Sequence, residues 1–198
     1  SGFDVHSYTA EIMGVNRQDA KAHTFKPLYG GVLGTNREMA YYSAFRNKYQ
    51  GVTEWHDKLQ EEAVTDKQVV LPSGREYAFP YAKYTRYGTT VGSTSIKNYP
   101  VQGFATADLL PLALIRLHKS LKEMVNPVPK SKIINTVHDS IIMDVHPDEK
   151  DWMVELLKRS MLCIPEECGR EFGIDFDMPI EIELKMGTDW LNLEELEI

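Results

Sequence analysis

Apolar side chains return along this chain at two different periods. Between Phe104 and Met124, Leu109, Ala113, Leu117 and Leu121 recur every fourth residue and form one stripe of a helix, with Pro111 expected to bend its first turns. Helices are also expected from about Asn36 to Lys48, from Thr53 to Val64 and from Asp148 to Met161, with Gly30-Gly31 and Gly51 as stops. Trp152, Leu156 and Met161 would face the core. A period of two appears where Ile180, Ile182, Leu184 and Met186 alternate with Glu181, Glu183 and Lys185, the pattern of a strand with one buried face. Two β-branched runs, Ile133 to Val137 and Ile141 to Val145, are separated only by a tight turn at His138 to Ser140. Val69-Val70-Leu71 and Tyr77-Ala78-Phe79 flank Ser73-Gly74 as a second hairpin. The whole predicts an α+β fold in two regions, residues 1–88 mainly helical and residues 89–198 with a small antiparallel sheet covered by helices. A proline-rich link lies at Asn126 to Pro129.

Arg17, Lys21, Phe25 and Tyr29 stand at successive intervals of four and are closed by Gly30, so one helix carries them as a drifting stripe about 18 Å long. Two cations followed by two aromatics suit a nucleoside triphosphate. A guanidinium forks onto phosphate oxygens, an ammonium adds a point charge, and the rings flank sugar and base. A surface helix with solvated cations gives the same spacing. Pro27 lies inside the stripe, where it removes a donor and crowds the carbonyl of His23, so a kink or 3₁₀ turn is expected between Phe25 and Tyr29. Asp139 sits at the tip of the β-branched hairpin. An ordinary turn aspartate would explain it, and so would a metal-binding carboxylate held rigidly for phosphoryl transfer.

Taken together these motifs resemble the C-terminal part of an A-family DNA polymerase of the bacterial DNA polymerase I type. Asp4-Val5-His6 resembles the Asp-Ile-His before the fingers, and Arg17 to Gly30 resembles the nucleotide-binding helix. Tyr49-Gln50-Gly51-Val52 is similar to the Tyr-Pro-Gly-Val of the next helix pair, with Gln for Pro. Asn98 to Gly103, followed by Ala107-Asp108, resembles the segment that tracks the duplex minor groove. His138-Asp139 resembles the catalytic hairpin, and Gly187-Thr188-Asp189-Trp190 the usual ending.

The resemblance implies helical fingers up to Gly88 and a palm from residue 89. It implies that His6, Arg17, Lys21, Phe25 and Tyr29 bind the deoxynucleoside triphosphate, that Asn98, Gln102 and His138 touch primer–template DNA, and that Asp139 is catalytic as a metal ligand, beside Lys21. Two Mg²⁺ ions are expected in the complete enzyme. Several positions depart from the family pattern: Ser140 stands where Glu is common, and Thr94 where an Arg that contacts DNA is common. The family's first catalytic Asp belongs to a strand preceding the Asp-Ile-His segment, and this chain begins at Ser1, just before Asp4. The expectation is a fragment or one half of a split enzyme, inactive or nearly so until the missing N-terminal half is supplied in cis or as a separate chain. The alternatives are a non-catalytic primer–template binding subunit, or a structural fragment that needs its other half to fold. The Asn98 to Gly103 segment favours DNA over the single-subunit RNA polymerases.

Charge adds modestly to this picture. The net charge is −7, with 12 basic against 10 acidic residues up to residue 100 and 10 against 19 beyond it. An acidic palm that gathers cations beside mildly basic fingers fits that asymmetry, as does a generally soluble surface. Arg75, Lys83 and Arg86 could meet a template strand or only water. Cys163 and Cys168 have no nearby His at a zinc spacing and are expected as free thiols, with a strained disulfide as the alternative. With no apolar stretch of membrane-spanning length and no signal peptide, a cytoplasmic location without membrane contact is expected. The short spacer between His6 and Arg17 and the Ser140 variant point towards a phage, hence a host cytoplasm.

Overall fold

The computed structural model describes residues 4–31, 33–86, 89–126 and 128–196. Two compact units emerge, one of Ser1–Leu71 with Arg75–Val101 and one of Pro72–Gly74 with Gln102–Ile198.

In the first unit, α1 (Val5–Met13) starts at Asp4 and stops at Gly14, whose φ of 59° suits a residue without Cβ. Asn16 caps α2 (Arg17–Leu28) by accepting from the backbone N–H of Asp19. A reciprocal Thr35/Glu38 capping box opens α3 (Asn36–Lys48), which has the expected bounds. The next helix, α4 (Gln50–Thr65), begins earlier than expected, and Gly51 lies in its first turn instead of stopping a helix. Tyr49 ends α3 and its carbonyl already accepts from Val52 and Thr53, so the chain turns at Tyr49. Hairpin strands β1 (Gln68–Val70) and β2 (Glu76–Ala78) pair with Val69 opposite Tyr77, and Gly74 supplies the left-handed turn residue. Two apolar clusters hold this unit. Met13, Tyr41, Tyr42 and Phe45 fill one, and Leu59, Ala63, Val69, Ala82 and Ile96 fill the other. Ile96 comes from α5 (Ser93–Gly103), and burying such a side chain contributes about 1.5–3 kcal/mol. The compact unit therefore extends to Val101, past the expected division after Gly88.

A π-helical turn at Phe104–Leu109 leads into α6 (Leu110–Glu123). Pro111, which has no N–H to donate, falls in the first turn of α6, so the expected bend takes the form of a widened turn just before it. Leu109, Ala113 and Leu117 are buried as the stripe predicted, and Leu121 is half-buried. Strands β3 (Lys132–Val137) and β4 (Ser140–Asp144) make the expected hairpin, with a bulge between Ile133 and Asn135. A 3₁₀ turn at Pro147–Glu149 precedes α7 (Lys150–Leu162), and α8 (Ile164–Phe172), which the apolar pattern did not reveal, ends at Gly173 with φ 68°. On α7, Trp152, Leu156 and Met161 are only half-buried, and Met153 is the residue that packs fully. Leu109, Leu112, Ala113, Ile164 and Cys168 form the core of this unit, with Ile141 of β4 packed against it. The expected strand over Ile180–Met186 is shorter: only β5 (Leu184–Met186) pairs, with β6 (Glu194–Leu196), although the alternation of half-buried and exposed side chains runs through it. Strand pairing thus consists of three separate antiparallel hairpins among the described residues. Cys163 and Cys168 are free thiols. Among the described residues no helix is long and apolar enough to cross a membrane.

Candidate functional site

The four-residue ladder lies on α2 as its spacing predicted, and α1 supplies its surroundings. Arg17 is the first residue of α2, and its Nε donates to Asp4 Oδ2 over 2.8 Å. The same carboxylate accepts from the Ser7 hydroxyl at 2.6 Å and, through Oδ1, from the backbone N–H of His6 at 3.0 Å. Asp4 therefore caps α1 and holds Arg17 at once, and the Arg17 guanidinium followed by the Ser7 hydroxyl keeps its carboxyl well below the usual range. The His6 ring meets Phe25 edge-on at 5.3 Å between centroids, and Phe25 stacks on Tyr29 at 6.2 Å and 21°. His6, Phe25 and Tyr29 are thus a continuous run of rings towards the C-terminal end of α2. His6 Nδ1 is buried without a hydrogen-bond partner, whereas buried polar atoms are ordinarily paired. Lys21 is half-buried on the same helix, one turn after Arg17.

Pro27 does not break this arrangement. Helix α2 runs through it to Leu28, Tyr29 N–H still reaches the Phe25 carbonyl at 2.9 Å, and the tight turn comes one step later, where Gly30 N–H bonds Pro27. Beneath the ladder, Thr24 Oγ1 donates to Thr9 Oγ1 at 2.8 Å, and Thr9 Oγ1 lies 2.7 Å from the Tyr41 hydroxyl. This buried relay ties α1, α2 and α3 together at a fixed spacing. Gly30 has φ 77°, and a Cβ there would run into Cδ of Lys97 and come within 2.6 Å of its Nζ. Lys97 is only 7% exposed, and burial, then the nearby Arg46, lowers its pKa. His56 is also buried, and burial, then the charge on Lys97, pushes its pKa down to about 4. The sequence marked neither lysine nor histidine. Asp4 could have been found as the residue before an apolar helix start, and Lys97 only by its neighbour Gly30.

Asn98 and Gln102 stand four apart on α5. Asn98 Oδ1 is buried and unpartnered, while Gln102 is exposed and its carbonyl accepts from the Thr106 hydroxyl at 2.7 Å. In the second unit, Val137 pairs with Ser140, so His138 and Asp139 are the two-residue loop between β3 and β4. His138 has φ 54°, a left-handed value that His adopts several times more readily than most residues. Asp139 is exposed on this rigid tip. Ser140 Oγ donates back to the Val137 carbonyl at 2.8 Å. Among the described residues no three His, Cys, Asp or Glu side chains gather where they could hold a metal ion. One exposed carboxylate does not fit a pair of divalent ions by itself, because each ion needs several oxygen ligands. Glu149, buried in the same unit, accepts instead from the backbone N–H groups of Lys130 and Ser131 at 2.8 Å each. The terminal motif closes a turn: Asp189 Oδ1 accepts from the backbone N–H groups of Leu191 and Asn192 at 2.9 Å.

The family model for DNA polymerase family A matches residues 1–192. DNA polymerase I of Caldicellulosiruptor bescii is 31% identical over 211 aligned residues, covering 94% of this chain and 23% of that protein. DNA polymerase I of Lactococcus lactis subsp. cremoris is 29% identical, covering 96% of this chain and 22% of that protein. The thermostable DNA polymerase I of Thermus filiformis is 27% identical, over 98% and 24% respectively. The chain thus spans less than a quarter of the length of these relatives. A solved structure, the POL domain of Pol1 from M. smegmatis in complex with DNA primer-template and dNTP, shares the fold with a TM-score of 0.67 and 21% identity. That match covers 81% of this chain and 31% of that one.

Proposed function

The chain belongs to DNA polymerase family A, and on that premise we propose that it supplies the fingers and C-terminal palm of a template-directed DNA polymerase that adds deoxynucleotides to a primer 3′ end. Residues 1–88 act as fingers and residues 89–198 as palm. The observation that carries this reading is the stripe along α2 from Arg17 at its start to Phe25 and Tyr29 at its end, with His6 of α1 edge-on to Phe25 and a buried His6 ring nitrogen lacking a partner.

The incoming triphosphate replaces Asp4 as the partner of Arg17, since a guanidinium exchanges one anion for another while keeping its charge-assisted bonds. Lys21 adds a second positive charge one turn along, and His6 Nδ1 gains the polar partner it lacks. Phe25 and Tyr29 flank the sugar and base. Asn98, Gln102 and His138 follow the primer–template through groove shape, because a copying enzyme must accept every base pair. Asp139 would hold Mg²⁺ as one ligand among several, and the ions would supply neutralisation of charge on the reacting phosphate. The remaining ligands come from outside the described residues. Positioning and charge stabilisation by these side chains supply what this chain gives to catalysis.

Primer extension with Mg²⁺ and all four deoxynucleotides tests the reading, comparing the chain alone with the chain plus a separately expressed polypeptide carrying the family's first catalytic Asp motif. Incorporation only in the mixture, abolished by Asp139→Asn, is the expected result. DNA binding without incorporation in the mixture would overturn it in favour of a non-catalytic binding subunit.

A further inference from the structure

From Tyr77 through Ala107 the sequence has no Asp or Glu, in a chain that carries 29 of them and a net charge of −7. The same run contains Lys83, Arg86 and Lys97 and is crowded with aromatics. Within the first unit their placement is unusual. Tyr81 is 83% exposed, Tyr84 55% and Tyr99 47%. The Tyr99 ring lies 5.7 Å from Tyr77 and 6.1 Å from Phe79, the residues that lead into Tyr81. The exposed rings do not ride on a slack loop. Phe79 N–H bonds the Lys67 carbonyl at 2.6 Å, Lys67 Nζ bonds the Ala82 carbonyl at 2.8 Å, and Ala82 N–H returns to Phe79 at 3.0 Å. Beyond Ala82, Val91 N–H bonds Lys83 at 3.0 Å and Thr85 N–H bonds Thr89 at 2.7 Å, so Tyr84 sits on a bridged excursion opposite Thr90.

Rings held outward on a fixed backbone, along a stretch of chain that carries cations and no acids, have the chemistry of a stacking surface for unpaired bases. A folded-core role fails to explain Tyr81, whose side chain is almost wholly in solvent. Duplex DNA offers such rings no open base face, whereas a single strand offers one per nucleotide. We infer that Tyr81, Tyr84 and Tyr99, with Lys83, form a sequence-tolerant binding surface for single-stranded DNA. The surface rests on the polymerase reading in one respect, that the strand it takes is the uncopied template.

The test is fluorescence anisotropy of a labelled oligo-dT of about 16 nucleotides with the whole 198-residue chain, without nucleotide or primer end. Single-stranded oligo-dT should bind more tightly than a blunt duplex of the same length. Tyr81→Ala and Tyr84→Ala should each weaken binding about fivefold or more, while the Phe variants stay within about twofold of wild type because they keep the ring. Lys83→Ala should reduce the slope of log affinity against log salt by about 0.7. Equal affinity for the duplex, or Ala variants that bind like wild type with unchanged thermal unfolding, would overturn the inference. Because no triphosphate enters this assay, failure of the polymerase reading leaves its outcome intact. Failed incorporation with intact oligo-dT binding refutes only the former, and the converse only the latter.

Discussion

Replacing Gly30 by Ala tests how the ladder helix is held at its end. Two costs add. At φ 77° an L-residue sits in the left-handed region, at about 1–2 kcal/mol. The new Cβ also meets Lys97 at Cδ and, 2.6 Å away, at Nζ. Lys97 is 7% exposed and so has little space to withdraw into, and overpacking of this kind costs about 1–3 kcal/mol. Gly30→Ala should therefore destabilise the first unit by about 2–5 kcal/mol. With a urea dependence near 2 kcal/mol per M, the midpoint should fall by about 1–2.5 M. The assay is urea unfolding followed by fluorescence of Trp55 in a background carrying Trp152→Phe and Trp190→Phe. In a Lys97→Ala background the steric part should vanish, leaving only the backbone cost of about 1–2 kcal/mol, so the double-mutant cycle should show coupling of about 1–3 kcal/mol. Equal cost of Gly30→Ala in both backgrounds would refute the interlock of Gly30 and Lys97.

Three further outcomes follow from the same geometry. Asp4→Asn keeps a good helix cap but removes the anion that holds Arg17, so triphosphate affinity measured by calorimetry should rise several-fold, whereas Arg17→Ala should lower it about tenfold; weaker binding in Asp4→Asn would count against the exchange of partners. Phe25→Tyr adds a hydroxyl to a ring that is 42% exposed, so folding should not change. In the reconstituted enzyme it should relax discrimination against dideoxynucleotides, scored by competing the two in primer extension, and unchanged selectivity would misplace the ladder. His56, with its pKa pushed down to about 4 by burial and Lys97, binds fewer protons folded than unfolded. Its contribution to stability is complete above about pH 6.5 and declines as pH falls towards 4. His56→Gln should flatten urea midpoints between about pH 6.5 and 4.5, a range above that in which the hydrogen-bonded carboxylates of Asp4 and Glu149 lose their contribution.

Arg17 and the α2 ladder were legible because they follow local rules, a fourfold spacing and a glycine at the stop, whereas the cap at Asp4 was not read as one. The hairpin that displays Asp139 was legible for the same reason, since two β-branched runs around a tight turn leave few other ways to pair, although Ser140 proved to belong to β4 and shortened the loop to two residues. The length of the Ile180–Met186 strand was not, because alternation records which face is buried and not where a partner strand lies, and β6 covers only Leu184–Met186. Helix α8 and the early start of α4 were missed where a glycine lay inside the helix without any steric demand, as at Gly51.

What the sequence by itself determined is the family, through six motifs in order along the chain, and the stripe of cations and rings on α2, since both depend on residue type and short spacing. Only the tertiary structure decided that Arg17 is already held by Asp4, that His6 meets Phe25 edge-on with a nitrogen left unpaired, and that Lys97 closes over Gly30. Pairings of that kind join residues on different helices, and no period along one helix records which neighbour packing will bring to it.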